Sequence, residues 1–249
     1  MSERAGGHDS RRDELAAALA AVRERLAAAC GPAGREPAEV RLLAVTKTFP
    51  AADVALLVDL GLVAFGESRD QEAAPKTAEL ADLRPGALAR WEMVGRVQRN
   101  KVRSVVRWAD RVQSVDSPRL ADALAAAARS ARAAGERSTD LEVLLQVSLD
   151  GDPARGGCLP ADVDVLAERV AGSEGLDLRG VMGIAPLDGD ADAAFAVLSQ
   201  VAARIRGEHP RAVELSAGMS ADLEVAVRHG SSCVRVGTAL MGGRPLAST

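Results

Sequence analysis

The feature that most constrains this chain is a rhythm: eight short apolar runs, separated in most gaps by a stretch of helical periodicity. The runs are "RLLAVTK" (41–47), "LVAFGES" (62–68), "RWEMVG" (90–95), "RVQSVDS" (111–117), "LEVLLQVS" (141–148), "LRGVMGIA" (178–185), "AVELSAG" (212–218) and "CVRVGT" (233–238). Val, Leu and Ile occur in them without strict alternation, the pattern of strands buried on both faces in a parallel sheet. Helical periodicity fills 51–60, 70–82, 97–107, 118–134, 160–172, 190–207 and 220–229. Strand–helix–strand repetition implies right-handed crossovers. Two α/β architectures satisfy it, an open doubly wound sheet and a closed (β/α)8 TIM barrel. Eight strands in 249 residues, with no GxGxxG after the first, favour the barrel. The expectation is one domain spanning 1–249, with residues 1–9 disordered. An extra N-terminal helix, "SRRDELAAALAAVRERLAAACG" (10–31), precedes the barrel, with Ser10 as N-cap and Gly31 as stop. Later helices carry start signals at Ser117-Pro118 and at Ser220 with Asp222.

Composition removes several function classes. Lys+Arg is 31 and Asp+Glu is 35, giving a net charge of −4 without a basic stripe, and aromatics are 2% with no tyrosine. Base-stacking surfaces for single-stranded nucleic acid need rings, so no nucleic-acid partner is expected. Cys30, Cys158 and Cys233 are far apart and lack metal-ligand spacing, which reads as reduced thiols of a cytoplasmic protein. The polar N-terminus lacks the apolar core of a signal peptide, and no stretch reaches membrane-spanning length, so no membrane partner is expected.

In such barrels the C-terminal strand ends form the site. They present Lys47 after the first strand, small residues and hydroxyls after the seventh and eighth ("SAGMS", 216–220; "GT", 237–238), and Arg235 within the eighth. Loops after strands seven and eight are common phosphate sites, and backbone N–H groups at a helix N-terminus suit an oxyanion; a bland turn is the competing reading. A strand-terminal lysine commonly snorkels to water. Its functional reading is a Schiff base, in which a desolvated amine attacks an aldehyde. With a phosphate anchor opposite, pyridoxal 5′-phosphate is a reasonable aldehyde. Arg235 would then lie under the ring and keep the pyridine nitrogen unprotonated, weakening the electron sink. His8, His209 and His229 read as surface residues. Glu67, Asp116 and Glu214 are expected to pair with neighbouring arginines.

The stretches "LLAVTKTFP", "FGESRDQE", "WEMVGRVQRNK", "SVDS", "LRGVMGI" and "LSAGMSADLEVAVRHGSSCVRVGTALMG", together with the long first helix, run in order over residues 10–244. In these the chain resembles the YggS/PROSC family of pyridoxal phosphate homeostasis proteins. The resemblance implies a barrel like the N-terminal domain of alanine racemase and pyridoxal phosphate linked to Lys47. It implies phosphate contacts from Ser216, Gly218, Met219, Ser220, Gly237 and Thr238, with Arg235 facing the pyridine nitrogen. It also implies a carrier that buffers the cofactor and hands it to apo-enzymes, without established turnover, as a monomer or weak dimer. The family's usual "GENY" is "GESR" here, placing Ser68 and Arg69 at those positions, and its "WHF" is "WEM", placing Glu92. We expect Arg69 and Glu92 to pair across the site. The alternative function is a racemase on the same barrel. Racemases of this fold take one base, a tyrosine, from a second domain; this chain has no tyrosine and eleven residues after Thr238, so such a domain is not expected.

Overall fold

The computed structural model describes residues 2–152, 154–186 and 188–243. The expectation of disorder over 1–9 falls on Met1 and on side chains outside the described residues. Helix α1 (Ser2–Cys30) precedes β1 (Arg41–Val45). The repeats then run α2 (Ala51–Asp59), β2 (Ala64–Glu67), α3 (Asp70–Leu83), β3 (Arg90–Met93), α4 (Val102–Trp108) and β4 (Arg111–Val115). They continue with α5 (Pro118–Ala133), β5 (Leu141–Val147), α6 (Val163–Ala171), β6 (Leu176–Gly183) and α7 (Ala191–Glu208). β7 (Glu214–Ser216), α8 (Leu223–Arg228), β8 (Cys233–Val236) and α9 (Thr238–Met241) complete the order. All neighbouring strands are parallel, and β8 pairs with β1 from Arg41–Cys233 to Ala44–Val236, closing the barrel. No helix among the described residues is long and apolar enough to cross a membrane.

Each apolar run became a strand because both of its faces are covered, by the barrel interior and by a helix. Helix α1 adds a stripe of Leu15, Leu19, Val22 and Leu26, spaced four, three and four residues apart, and buries it with residues of α2, α8 and α9. The strands stop earlier than the apolar runs suggest. β1 ends at Val45, and Thr46–Phe49 forms a turn in which Phe49 N–H donates to Thr46 C=O. Lys47 therefore sits in a turn at the rim rather than in the ladder.

Three expected helix starts are corrected. α1 begins at Ser2, so Ser10 is inside the helix and is not a cap. Ser117 does precede α5, but its hydroxyl donates to Asp116 Oδ1 (3.1 Å) and caps no N–H. α8 begins at Leu223, and Ser220 Oγ accepts the Ala239 N–H of α9 (3.4 Å) instead. The reason is local: Met219 donates to Asp222 Oδ1 and Asp222 N–H to Met219 C=O, so the loop closes its own turn.

The strand starts carry a charged floor. Arg41 donates to Glu92 Oε1 and to Glu214 Oε1, both at 2.5 Å, and Arg111 pairs with Glu214 and with Glu142 (2.6 Å). The expected Arg69–Glu92 pair does not form. Glu92 is 1% exposed and points inward from β3, whereas Arg69 is exposed and pairs with Glu72 at 3.1 Å. One residue of register in a strand reverses the face, and position 92 is an interior one. Of the other carboxylates, Glu214 pairs with arginines as expected, Glu67 pairs with Lys76, and Asp116 accepts from Ser117.

Candidate functional site

A cavity of about 410 Å³ opens among the C-terminal strand ends, within the usual range for small-ligand sites. Lys47, Met219, Ser220, Arg235, Gly237 and Thr238 line it. Six of the eight residues singled out from the sequence thus converge on one space. Ser216 and Gly218 do not line it; they lie behind it. A larger groove, 940 Å³ between α5 and α6, is lined by uncharged helix residues and exposed charges, among them the paired Asp122 and Arg169, and it brings no strand end to bear.

Lys47 is half-buried and makes no hydrogen bond or ion pair with the described residues. Its amine is free for a ligand. Arg235 is 4% exposed. Its Nη1 donates to Ser216 C=O and to Ser216 Oγ, and its Nη2 to Gly183 C=O, all at 2.8 Å. Loss of solvent lowers its pKa, with Cys233 and the more distant Asp222 and Glu92 opposing the shift. A guanidinium nonetheless stays protonated in a protein. No carboxylate forms a salt bridge with it among the described residues, and its exposed edge faces the cavity.

The anion-side loops are built from the last two repeats. Ser220 and Thr238 each have a backbone N–H with no partner among the described residues, and Thr238 adds a hydroxyl. The Met219 N–H is already taken by Asp222 Oδ1 at 2.6 Å. Helix α1 supports the first loop and the end of α9. Arg25 Nη1 donates to Ser220 C=O at 2.6 Å and also binds Glu224, while Arg11 Nη2 donates to Met241 C=O at 2.9 Å.

Among the described residues the lining contains two cations and no carboxylate. Its positive potential and free N–H donors suit a phosphorylated aldehyde whose ring nitrogen can accept a hydrogen bond. Pyridoxal phosphate fits that donor set.

Sequence reasoning missed a second set of residues. Gln113, within β4, links Glu92 to Ser216; its signal was an isolated amide in a run otherwise buried on both faces. Lys76 of α3, 7% exposed, donates to Glu67 Oε1 (2.7 Å) and to Thr46 C=O (2.9 Å). Burial raises the Glu67 pKa, partly offset by Lys76 and Thr46. A lysine on a helix surface pattern carries no signal of burial, because the strand carboxylate it meets is nine residues away.

Comparison with known proteins gives the same picture. The family model described as alanine racemase, N-terminal domain, matches residues 17–245. The pyridoxal phosphate homeostasis protein of Mycobacterium tuberculosis (strain ATCC 25618 / H37Rv) is 52% identical, with 100% of each chain covered. PipY of Synechococcus elongatus PCC7942, solved with PLP bound, is 35% identical with a TM-score of 0.77, covering 92% of this chain and 100% of that one. Alanine racemase from Corynebacterium glutamicum shares the fold alone, at 17% identity and a TM-score of 0.67, covering 96% of this chain and 62% of the racemase.

Proposed function

This chain belongs to the family of pyridoxal phosphate homeostasis proteins, on the alanine racemase N-terminal barrel, and from that membership we propose that it binds pyridoxal 5′-phosphate at the barrel mouth. The observation that carries the reading is the lining: among the described residues, an unpaired amine and a desolvated guanidinium in a cavity without a carboxylate. The PLP-bound state of PipY supports it by kinship.

When bound, the cofactor supplies an aldehyde that condenses with a primary amine and releases water. Lys47 is the amine. Ser220 and Thr238 offer backbone N–H groups, and Thr238 a hydroxyl, to the phosphate, with Gly237 and Met219 shaping the space. Arg235 would offer a permanent cation to the ring nitrogen, disfavouring protonation there and weakening carbanion chemistry. Ser216 acts behind Arg235 by accepting its Nη1–H. Gly218 shapes the loop.

We assign the protein as a carrier that buffers the cofactor and releases it to apo-enzymes. The cavity lining holds one titratable base, Lys47, with no His, Asp, Glu or Tyr among the described residues. Racemisation needs proton removal and return on opposite faces, and a single amine serves one face.

The test is borohydride reduction of the cofactor-loaded protein followed by peptide mass spectrometry. Modification at Lys47 and loss of the visible absorption band in Lys47→Ala are expected. Modification at another lysine with Lys47 untouched overturns the site. For delivery, the loaded protein should reactivate apo-enzymes of unrelated pyridoxal phosphate pathways; failure with several overturns the carrier role while leaving binding intact.

A further inference from the structure

The backbone around Lys47 is strained. Thr48 has φ +70°, and it is the one non-glycine residue with positive φ among the described residues. Phe49 N–H donates to Thr46 C=O at 3.1 Å, so residues 46–49 form a hydrogen-bonded turn with positive φ at its third position. That is the pattern of a type II turn, whose third position favours glycine or asparagine because a β-branched side chain crowds the backbone there. The more common type I turn has the central peptide rotated by about half a turn and suits threonine better. Something outside the turn must therefore hold the Lys47–Thr48 peptide in its present orientation.

Helix α3 does so from both sides. Glu72 Oε2 accepts the Thr48 N–H at 3.2 Å, and this N–H belongs to the central peptide, whose rotation separates the two turn types. One helical turn later, Lys76 Nζ donates to Thr46 C=O at 2.9 Å while bound to the fully buried Glu67 at 2.7 Å. Thr46 Oγ1 donates to the same Glu67 oxygen at 2.7 Å, and Glu67 Oε2 has no partner among the described residues. Spacing of i and i+4 places Glu72 and Lys76 on one helix face. The acceptor on Glu72 meets the N–H after Lys47, and the donor on Lys76 meets the C=O before it.

We propose that Glu72 and Lys76 are positioning residues that clamp the Lys47 turn in its strained form, so that α3 presents the amine to the cavity. This rests on the binding reading above for its consequence, but the clamp itself is a property of the free protein. Release of either contact lets Thr48 return to negative φ and reorients the peptide from which Lys47 projects.

The experiment compares wild type, Glu72→Ala, Glu72→Gln, Thr48→Gly and the double variant Glu72→Ala/Thr48→Gly. Two quantities are read: amide exchange of Thr48 in the free protein, and the rate at which pyridoxal phosphate attaches at Lys47, followed by absorbance. The Glu72 side chain is 30% exposed and belongs to no apolar cluster, so its removal leaves the core in place. Expected for Glu72→Ala are faster Thr48 exchange and attachment slowed roughly tenfold, the scale of one strained backbone residue. Glu72→Gln keeps an acceptor oxygen and stays near wild type. Thr48→Gly removes the steric cost of positive φ, so the double variant recovers most of the rate. A general structural role for Glu72 would show no such rescue. Unchanged Thr48 exchange in Glu72→Ala, or no recovery in the double variant, overturns the clamp. If wild type itself shows no attachment at Lys47, the binding reading fails, and Thr48 exchange alone then decides the clamp. Lys76→Met leaves Glu67 buried without its cation; where it folds, the same acceleration of exchange is expected, and its absence counts against the proposal.

Discussion

Ser216 donates its hydroxyl hydrogen to Gln113 Oε1 at 2.7 Å inside the barrel. The same Ser216 oxygen accepts from Arg235 Nη1, and Gln113 Nε2 donates to Glu92 Oε2 at 2.5 Å. A directed chain of hydrogen bonds therefore runs from the charged floor, through Glu92, Gln113 and Ser216, to the guanidinium that faces the cavity. The two ends have one role each: the Glu92 carboxylate accepts and the guanidinium donates, which fixes the amide orientation between them. Ser216 thus carries the arginine through both its carbonyl and its hydroxyl.

Cutting this chain should be costly. Gln113→Leu is similar in size but leaves Glu92 and the Ser216 hydroxyl each short of a buried partner. A loss of about 2–4 kcal/mol is expected, since unsatisfied buried groups cost more than their bonds contribute. Urea unfolding measures it. Ser216→Ala should cost less, and a neutral Gln113→Leu would show that the chain contributes nothing.

Arg25 should control phosphate recognition more than stability. It ties α1 to the Ser220 carbonyl, but its side chain and that of Glu224 are 36% and 43% exposed, so Arg25→Ala is expected to cost no more than about 1 kcal/mol in folding. Affinity for pyridoxal phosphate should fall about tenfold with little change for pyridoxal, because the loop it holds meets the phosphate alone. Equal losses for both aldehydes would contradict that assignment.

Gly218 is held by geometry on two counts. Its φ is +90°, and a Cβ there would lie 2.6 Å from Ala226 Cβ. Gly218→Ala should cost about 2 kcal/mol or more from strain and overlap together. It should also weaken cofactor binding, because α8 must move away from the loop. An unchanged thermal midpoint would refute this.

The thiols give a pH prediction. Burial pushes Cys233 up to about 11 from an ordinary 9, and Cys158 likewise. A thiol raised in the fold adds stability that is fully present below pH 9 and is lost as pH rises from 9 towards 11. Cys233→Ala should flatten the alkaline limb of the stability curve. At neutral pH, Cys158 should alkylate about 100-fold more slowly than an ordinary cysteine, through its scarce thiolate. A rate matching a free thiol would contradict the burial effect.

The barrel was legible along the chain: a strand covered on both faces must be apolar along its length, and eight such runs separated by helices, with no GxGxxG after the first, favour a closed barrel over an open doubly wound sheet. The sequence also marked Lys47, Arg235 and the two terminal loops, because the barrel places strand ends together. Family resemblance carried the cofactor. What it could not determine was partnership across distance. Glu92 read as a neighbour of Arg69, yet it faces inward to Arg41 and Gln113; the Ser220 hydroxyl read as a cap of α8, yet it accepts from α9. These pairings, and the contacts of α3 with the Lys47 turn, exist only once the chain has folded. Hydrogen bonds depend on ångström-scale distance and direction between groups that chain order leaves unrelated, whereas burial patterns are written along the chain itself.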